Sequence, residues 1–241
     1  MTDGVHFLDA RGPDGTRLYA IGDVHGCIDQ LEAIFGLIDA EIARDGVEDW
    51  RIILLGDYCD RGPDVRGVLD LIMSRQAADP RVIALAGNHD DGFLQFLAEP
   101  RAESLFFRYG GMATARSYGV ALDGDDLRAS RDRLLAAVPE DHVAFIRNLP
   151  LSAEFGDFFF CHAGIRPEVP LNEQRREDLT WIRDAFLGWP KLHPKVVVHG
   201  HTPAAAAEIM SNRVNVDTGA VYGGTLTALV VDGADKRLIH A

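Results

Sequence analysis

IILLGDYCDRG, residues 52–62, decides how the rest of the chain is read. An apolar run, Ile52 to Leu55, ends in Gly56, and Asp57, Asp60 and Arg61 come within the next five positions. A short apolar run closed by glycine predicts a buried strand entering a tight loop. In open α/β sheets the loops at strand ends carry the chemistry. Asp57 suits a hard metal ion, Asp60 suits orienting a neighbour, and the fork of Arg61 matches two phosphoryl oxygens. The same residues also suit a solvated acidic turn closed by a local Asp–Arg pair, and the stretch alone leaves both open.

The pattern repeats on either side. Leu18 to Ile21 predicts a strand ending at Gly22-Asp23, and residues 81–86 a strand ending at Gly87-Asn88. Between the three strands, apolar residues at helical spacing predict helices over 29–44 and 64–76, the second with Pro63 near its start. Strand, helix, strand, helix, strand is the pattern of stacked βαβ units and parallel strands. Each of these strands ends in Gly followed by Asp or Asn, which aligns polar ligands along one sheet edge. Residues 1–17 read as a loose lead-in or an edge hairpin. Residues 91–150 have helical periodicity and few β-branched runs, and predict a helical insertion. Strands return at 157–161 and 195–199, separated by a helix over 173–187, and the tail predicts strands at 213–217, 225–231 and 236–240.

Composition bounds the partners. The 241 residues, 47% apolar, suit a domain with a full core. A net charge of −13 and a pI near 5.0 disfavour nucleic acid and anionic lipid as partners. An anionic substrate then needs a local positive centre, a metal or arginines. The cysteines, Cys27, Cys59 and Cys161, are odd in number and lack CxxC spacing, against a disulfide framework or a structural zinc site. Each abuts a candidate ligand loop. They read as small apolar residues at crowded strand ends, with a thiol-sensitive site as the sharper reading. No stretch has signal-peptide or membrane-span character, and a cytoplasmic protein is expected.

The residues just past each strand point to a metal centre. Asp23 and His25 come after the first, Asp57, Asp60 and Arg61 after the second, and Asn88, His89 and Asp90 after the third; His162 and His201 come after later strands. Carboxylate and imidazole together suit Mn, Fe or Zn. Six candidate ligands exceed what one catalytic ion with open positions uses; two ions sharing Asp57 would use them all.

GDVHG (22–26), GDYCDRG (56–62), GNHD (87–90), CHAG (161–164) and GHTP (200–203), in this order, resemble the calcineurin-like metallophosphoesterases, most closely the phosphoprotein-phosphatase branch. That branch includes bacteriophage lambda phosphatase, bacterial serine/threonine protein phosphatases and diadenosine tetraphosphatase. NVDTGAVYGG (215–224) extends the likeness. GNHD departs from the GNHE usual in the branch, an acidic group one methylene shorter. The resemblance implies an α/β fold over 1–241, a two-sheet β-sandwich core flanked by helices with a helical cap insertion at about 91–150. It implies two divalent metal ions, Mn²⁺ first and Fe or Zn next. Asp23 and His25 would bind one, Asn88, His162 and His201 the other, with Asp57 bridging. His89, oriented by Asp60, would protonate the leaving group, and Arg61 would grip the phosphoryl group during direct in-line attack by hydroxide held between the ions.

Arg183 resembles the second phosphate-gripping arginine; a helix-surface pair with Asp184 or Glu177 is the other reading. Tyr222 matches an aromatic near the attacking oxygen, or a half-buried strand residue. His199 is expected to pack behind the ligands, and His6, His142, His193 and His240 to lie at the surface. The insertion's aromatics, Phe106, Phe107, Tyr109 and Tyr118, are at core-like helical spacing. The expected substrate is therefore a phosphomonoester, phosphoserine or phosphothreonine in a protein, ahead of a dinucleoside polyphosphate. A catalytically silent metal- or phosphate-binding module is the third reading; keeping His89, Asp60 and Arg61 beside every ligand weighs against it.

Overall fold

A computed structural model describes residues 4–241; residues 1–3 of the expected lead-in lie outside the described residues. In chain order come β1 (Thr16–Ile21), α1 (Ile28–Asp45), β2 (Asp49–Leu54), α2 (Val65–Ala78) and β3 (Val82–Ala84). Five helices come next: α3 (Asn88–Ala98), α4 (Leu105–Arg108), α5 (Gly111–Ser117), α6 (Leu127–Ala137) and α7 (Glu140–Arg147). Then come β4 (Ser152–Phe155), β5 (Phe158–Cys161), α8 (Arg176–Trp181), α9 (Asp184–Leu187) and β6 (Val196–His199). The chain ends with β7 (Glu208–Ile209), β8 (Arg213–Asn215), β9 (Thr227–Asp232) and β10 (Asp235–His240).

Two five-stranded mixed sheets result, ordered β10-β9-β1-β2-β3 and β4-β5-β6-β8-β7. Strand alternation explains why they stack. Leu18 and Ala20 of β1, Phe158 and Phe160 of β5, Val196 and Val198 of β6 and Leu229 and Val231 of β9 share one buried cluster between the sheets. The intervening Tyr19 and Ile21 face the helical layer instead, with Leu31, Ile34 and Ile38 of α1. On the far side, Phe159 and Val197 pack with Leu179 and Phe186 of α8 and α9. β1, β2 and β3 are mutually parallel, as are β5, β6 and β8. Their C-terminal ends converge, and the ligand-bearing loops lie on this joined edge.

The helices after β3 share the core of the first sheet: Phe93, Phe96, Phe106, Tyr118, Leu134 and Ile146 join the α1 and α2 residues in one cluster. Several local expectations change. The lead-in is docked, with Val5 bridging to His193 and Phe7 buried. The single helix expected over 173–187 is two, because Arg183 has φ −134 and ψ −102, outside the helical region. β4 and β7 had no apolar run to announce them; both residues of β7 are exposed. His142 and His193 are buried. His142 Nδ1 lies 2.7 Å from the Tyr118 hydroxyl and its Nε2 2.9 Å from Asp70 Oδ1, while His193 stacks on Phe186.

Candidate metal centre

The loops after β1 and β2 are clasped together: the amides of His25 and Gly26 donate to the carbonyls of Asp57 and Tyr58 at 2.8 and 3.0 Å. The clasp requires unusual backbone. Among the described residues six non-glycines have positive φ, and five of them are His25, Asp57, Asp60, Arg61 and His201. Such conformations cost ~1–3 kcal/mol each and persist only where the surroundings over-determine them. Close approach also demands glycine: a Cβ at Gly87 would strike the Asp57 carboxylate, and one at Gly200 that of Asp23.

Asp90 supplies much of the restraint. Its buried carboxylate accepts the amides of Asp57, Tyr58, Cys59 and Gly87 at 2.9–3.2 Å. The shortened acid of GNHD is thus a loop clamp. Burial, then the Asp57 charge, pushes its pKa up to about 8.

The imidazoles are oriented from behind. His25 Nδ1 lies 2.6 Å from the Cys59 carbonyl and His162 Nδ1 lies 3.0 Å from that of Leu55. A carbonyl only accepts, so each Nδ1 carries the proton and each Nε2 turns a lone pair inward. Those lone pairs meet Asp57 on its two sides: His25 Nε2 is 3.4 Å from Oδ2, and His162 Nε2 is 3.4 Å from Oδ1. His162 Nε2 and His201 Nδ1 each lie 2.9 Å from Asn88 Oδ1. The ligand atoms of Asp57, His162 and His201 lie within 4.8 Å of one another, and so do those of His25, Asp57 and His89. Asp23 stands outside both triads; its carboxylate accepts the His201 amide at 3.1 Å and approaches His162 Nδ1 at 4.0 Å.

Electrostatics fit the same description. Burial first, then Asp217 and Asp57, holds Asp23 well above the ordinary carboxylate range. Burial also raises Asp57. Burial lowers His25 well below its usual value and His162 to about 3, so both are neutral donors. Buried carboxylates facing bare imidazole lone pairs, with Asp57 shared between two sets, suit two divalent cations of the Mn, Fe or Zn type. The Arg61 guanidinium reaches the same floor, with NH1 on His25 Nε2 and NH2 2.7 Å from His89 Nε2.

Around this floor lie the remaining expected residues. His89 Nδ1 is 2.6 Å from Asp60 Oδ2. Burial lowers His89 to about 4, outweighing the Asp57 charge, which raises it. Arg183 Nε donates to His201 Nε2 at 3.0 Å, so the helix break aims it at the centre. Tyr222 is not a strand residue: it lies in a 3-10 turn, 64% exposed, with the Arg61 guanidinium 5.6 Å from its ring centre. His199 is buried behind the ligands, edge-on to Phe186. All three thiols sit above their usual pKa through burial, favouring their role as packing residues.

Three residues were not foreseen. Thr114 of α5 is fully buried; its hydroxyl accepts the Asp60 amide at 2.9 Å and donates to Asp60 Oδ1 at 2.8 Å. Asp217, within NVDTG, is buried beside Asp23, and burial raises it to about 6. Trp181 lies edge-on to His201, ring centres 6.1 Å apart. A cleft of about 520 Å³ opens over the centre, lined by Arg61, His89, Leu105, Tyr109, Trp181 and Arg183 among others.

Buried Asp, Asn and His side chains gathered around one carboxylate, under a rim of arginines, suit a metal-dependent phosphoester hydrolase. The sequence matches the calcineurin-like phosphoesterase family over residues 16–228, and the chain belongs to that family. It is similar to the asymmetrical bis(5′-nucleosyl)-tetraphosphatase PrpE of Anoxybacillus flavithermus, 25% identical over 231 residues, 87% of this chain and 88% of that protein. A crystal structure provisionally described as a diadenosine tetraphosphatase superposes with a TM-score of 0.66 at 21% identity, covering 96% of this chain and 98% of the other. A protein serine/threonine phosphatase from Saccharomyces cerevisiae has the same fold, with a TM-score of 0.59 at 13% identity, covering 97% and 84%.

Proposed function

We propose that this protein hydrolyses a dinucleoside polyphosphate, with a bis(5′-nucleosyl) tetraphosphate cut asymmetrically as the leading substrate. The observation that carries this over a phosphoprotein is the rim. Tyr109 and Trp181, 58% and 42% exposed, share the cleft with Arg61 and Arg183. Aromatic faces beside guanidinium groups suit bases joined by a polyphosphate. Phe106 and Tyr118 are indeed core, but Tyr109 and Trp181 are available, and this reverses the order of substrates expected from sequence. The named activity of the Anoxybacillus flavithermus relative supports the same substrate class.

In this reading Asp57 would be shared by two divalent ions, with His25 and Asp23 available to hold one and Asn88, His162 and His201 the other. When bound, such ions acidify a water and neutralise charge on the phosphoryl group. Arg61 and Arg183 orient the phosphoryl oxygens. Asp60 accepts from His89 Nδ1; to act as the acid His89 must be the imidazolium, with the second proton on Nε2 in place of the bond from Arg61 NH2, and it is that proton that would pass to the departing oxygen. Leu105 and Tyr109 wall the cleft on the side of the helical insertion.

The test is a metal-by-substrate matrix on chelator-stripped protein, with Mn²⁺, Fe²⁺ or Zn²⁺ restored. Substrates are diadenosine tetraphosphate, a phosphoserine peptide, an aryl phosphate and a cyclic nucleotide. The expected result is no turnover without metal, and the highest kcat/KM on the dinucleotide, giving a mono- and a triphosphate. Higher efficiency on the phosphopeptide defeats the substrate assignment; full turnover in excess chelator by protein containing no metal defeats the metal assignment.

A further inference from the structure

Trp181 is the wall between two depressions. On one side lies the cleft with Arg61, His89 and Arg183. On the other lies a groove of about 570 Å³ lined by Arg166, Val169, Arg175, Glu177, Asp178 and Ile182 among others. Both depressions include Trp181 in their linings. The indole ends α8 and remains 42% exposed, a large aromatic left half in water at the mouth of a polar site.

The two depressions differ in charge. The cleft offers Arg61 and Arg183 to an anion. In the groove, Arg166 is tied to Asp178 through Nε and NH2 at 3.1 and 2.5 Å, which neutralises its charge. The groove also holds Glu173 and Glu177 against Arg175, so it does not favour phosphate. A flat, neutral, hydrogen-bonding group suits it better: carboxylates accept from exocyclic amines, and the indole supplies a stacking face.

The platform is held rigidly. The Arg176 guanidinium pins the start of α8 to Asp91 of α3 at 2.7 and 2.9 Å. At the other end, the Ile182 amide donates to the Asp178 carbonyl at 3.2 Å, and the Thr180 hydroxyl donates to the Arg176 carbonyl at 2.9 Å. A preorganised aromatic loses little freedom when a ligand stacks on it.

We propose that the groove beside Trp181 is a nucleobase subsite, in which the indole stacks one base of a substrate whose phosphates are held by Arg61 and Arg183. This rests on the dinucleotide reading above and locates one of its two bases. It assigns Trp181 a part in substrate choice, separate from the hydrolytic apparatus.

The experiment compares metal-loaded wild type, Trp181→Ala and Trp181→Phe. Two readouts are taken: the ratio of kcat/KM on diadenosine tetraphosphate to that on nitrophenyl phosphate, and calorimetric affinity for adenosine monophosphate. Loss of a base–aromatic stack is expected to lower the ratio about tenfold in Trp181→Ala, chiefly through KM, with Trp181→Phe retaining most of it. Adenosine monophosphate should bind about tenfold more weakly to Trp181→Ala. If wild type ignores the dinucleotide yet its adenosine monophosphate affinity still depends on Trp181, the dinucleotide reading fails and the subsite stands. If neither ratio nor affinity responds to Trp181→Ala, the subsite is overturned. It is equally overturned if both variants lose both substrates alike, which would make the indole a support for His201.

Discussion

Replacing Thr114 by valine removes one oxygen and keeps the shape of a fully buried side chain. That oxygen serves Asp60 twice, accepting its amide at 2.9 Å and donating to Oδ1 at 2.8 Å. Asp60 is itself fully buried, so water cannot replace either bond. A stranded buried polar group costs ~1–3 kcal/mol, and two stranded groups bound the loss at ~2–6 kcal/mol. Burial already holds the Asp60 carboxyl well above its ordinary pKa, which lets it take up a proton and soften the loss. The lower half, ~2–4 kcal/mol, is expected, a large share of the ~5–15 kcal/mol typical of a domain. Asp60 Oδ2 orients His89 across 2.6 Å, so turnover should fall with stability. The expected fall in kcat on an alkyl phosphate is about tenfold or more, with metal content unchanged and KM little moved. Urea unfolding at 25 °C gives the first number and steady-state kinetics the second. Thr114→Ser, which restores the hydroxyl, should recover most of both. If Thr114→Val unfolds within ~0.5 kcal/mol of wild type and keeps its kcat, Asp60 does not depend on this hydroxyl and the positioning argument is wrong.

Asp57→Asn should lose metal by elemental analysis and about 10²-fold or more of turnover, since one oxygen faces His25 and the other His162; retention of both metals and near-normal rate would refute the shared-ligand assignment. His89→Asn should lower kcat about 10²-fold on an alkyl phosphate and far less on nitrophenyl phosphate, whereas Arg61→Ala should weaken both alike; an equal loss on both substrates in His89→Asn removes the proton-donor role. His89 and Arg61 touch at 2.7 Å, so the double variant should fall short of the product of the single effects. His193 is neutral in the fold, its pKa lowered by burial to about 4, and its Nε2 has no hydrogen-bond partner among the described residues. The unfolded chain takes up that proton below about 6.5, so this contribution is complete above pH 6.5 and is lost as pH falls toward 4, with a slope of up to ~1.4 kcal/mol per pH unit. His193→Phe should flatten the fall in urea-derived stability between pH 6.5 and 4; an unchanged slope would show that His193 does not titrate there.

The candidate ligands were legible because each sits directly after an apolar run, where strand period and glycine punctuation are local signals. The parallel order of the first three strands came from the same pattern. Thr114 was not legible, because its partner Asp60 lies 54 positions away and a mid-helix threonine carries no mark of what it faces. The same distance problem hid Trp181, whose exposure depends on where the helix stops. Periodicity alone runs one helix through 173–187; the backbone leaves the helical region at Ile182 and Arg183, where the Arg183 guanidinium reaches His201, a contact that local spacing does not reveal. His142 and His193 looked peripheral because they lie outside every motif, and their burial comes from Tyr118, Asp70 and Phe186.

The amides of the loop after β2 show why so short a motif holds its unusual backbone. Those of Asp57, Tyr58 and Cys59 donate to the Asp90 carboxylate on α3. The Asp60 amide donates to Thr114 on α5, the Arg61 amide to the Gly110 carbonyl at 3.1 Å, and the Gly62 amide to the Asp60 carbonyl at 2.8 Å. No amide from 57 to 62 is left to water, and two helices of the following segment supply most of the acceptors. The left-handed turns at Asp57, Asp60 and Arg61 are therefore imposed from outside the motif. Asp60 and Arg61 are thereby anchored to α5 and its N-terminal Gly110, whereas Asp57 is anchored to α3. The segment carrying the cleft wall at Leu105 and Tyr109 thus also supplies, from Asp90, Gly110 and Thr114, the acceptors that hold the loop of residues 57–62.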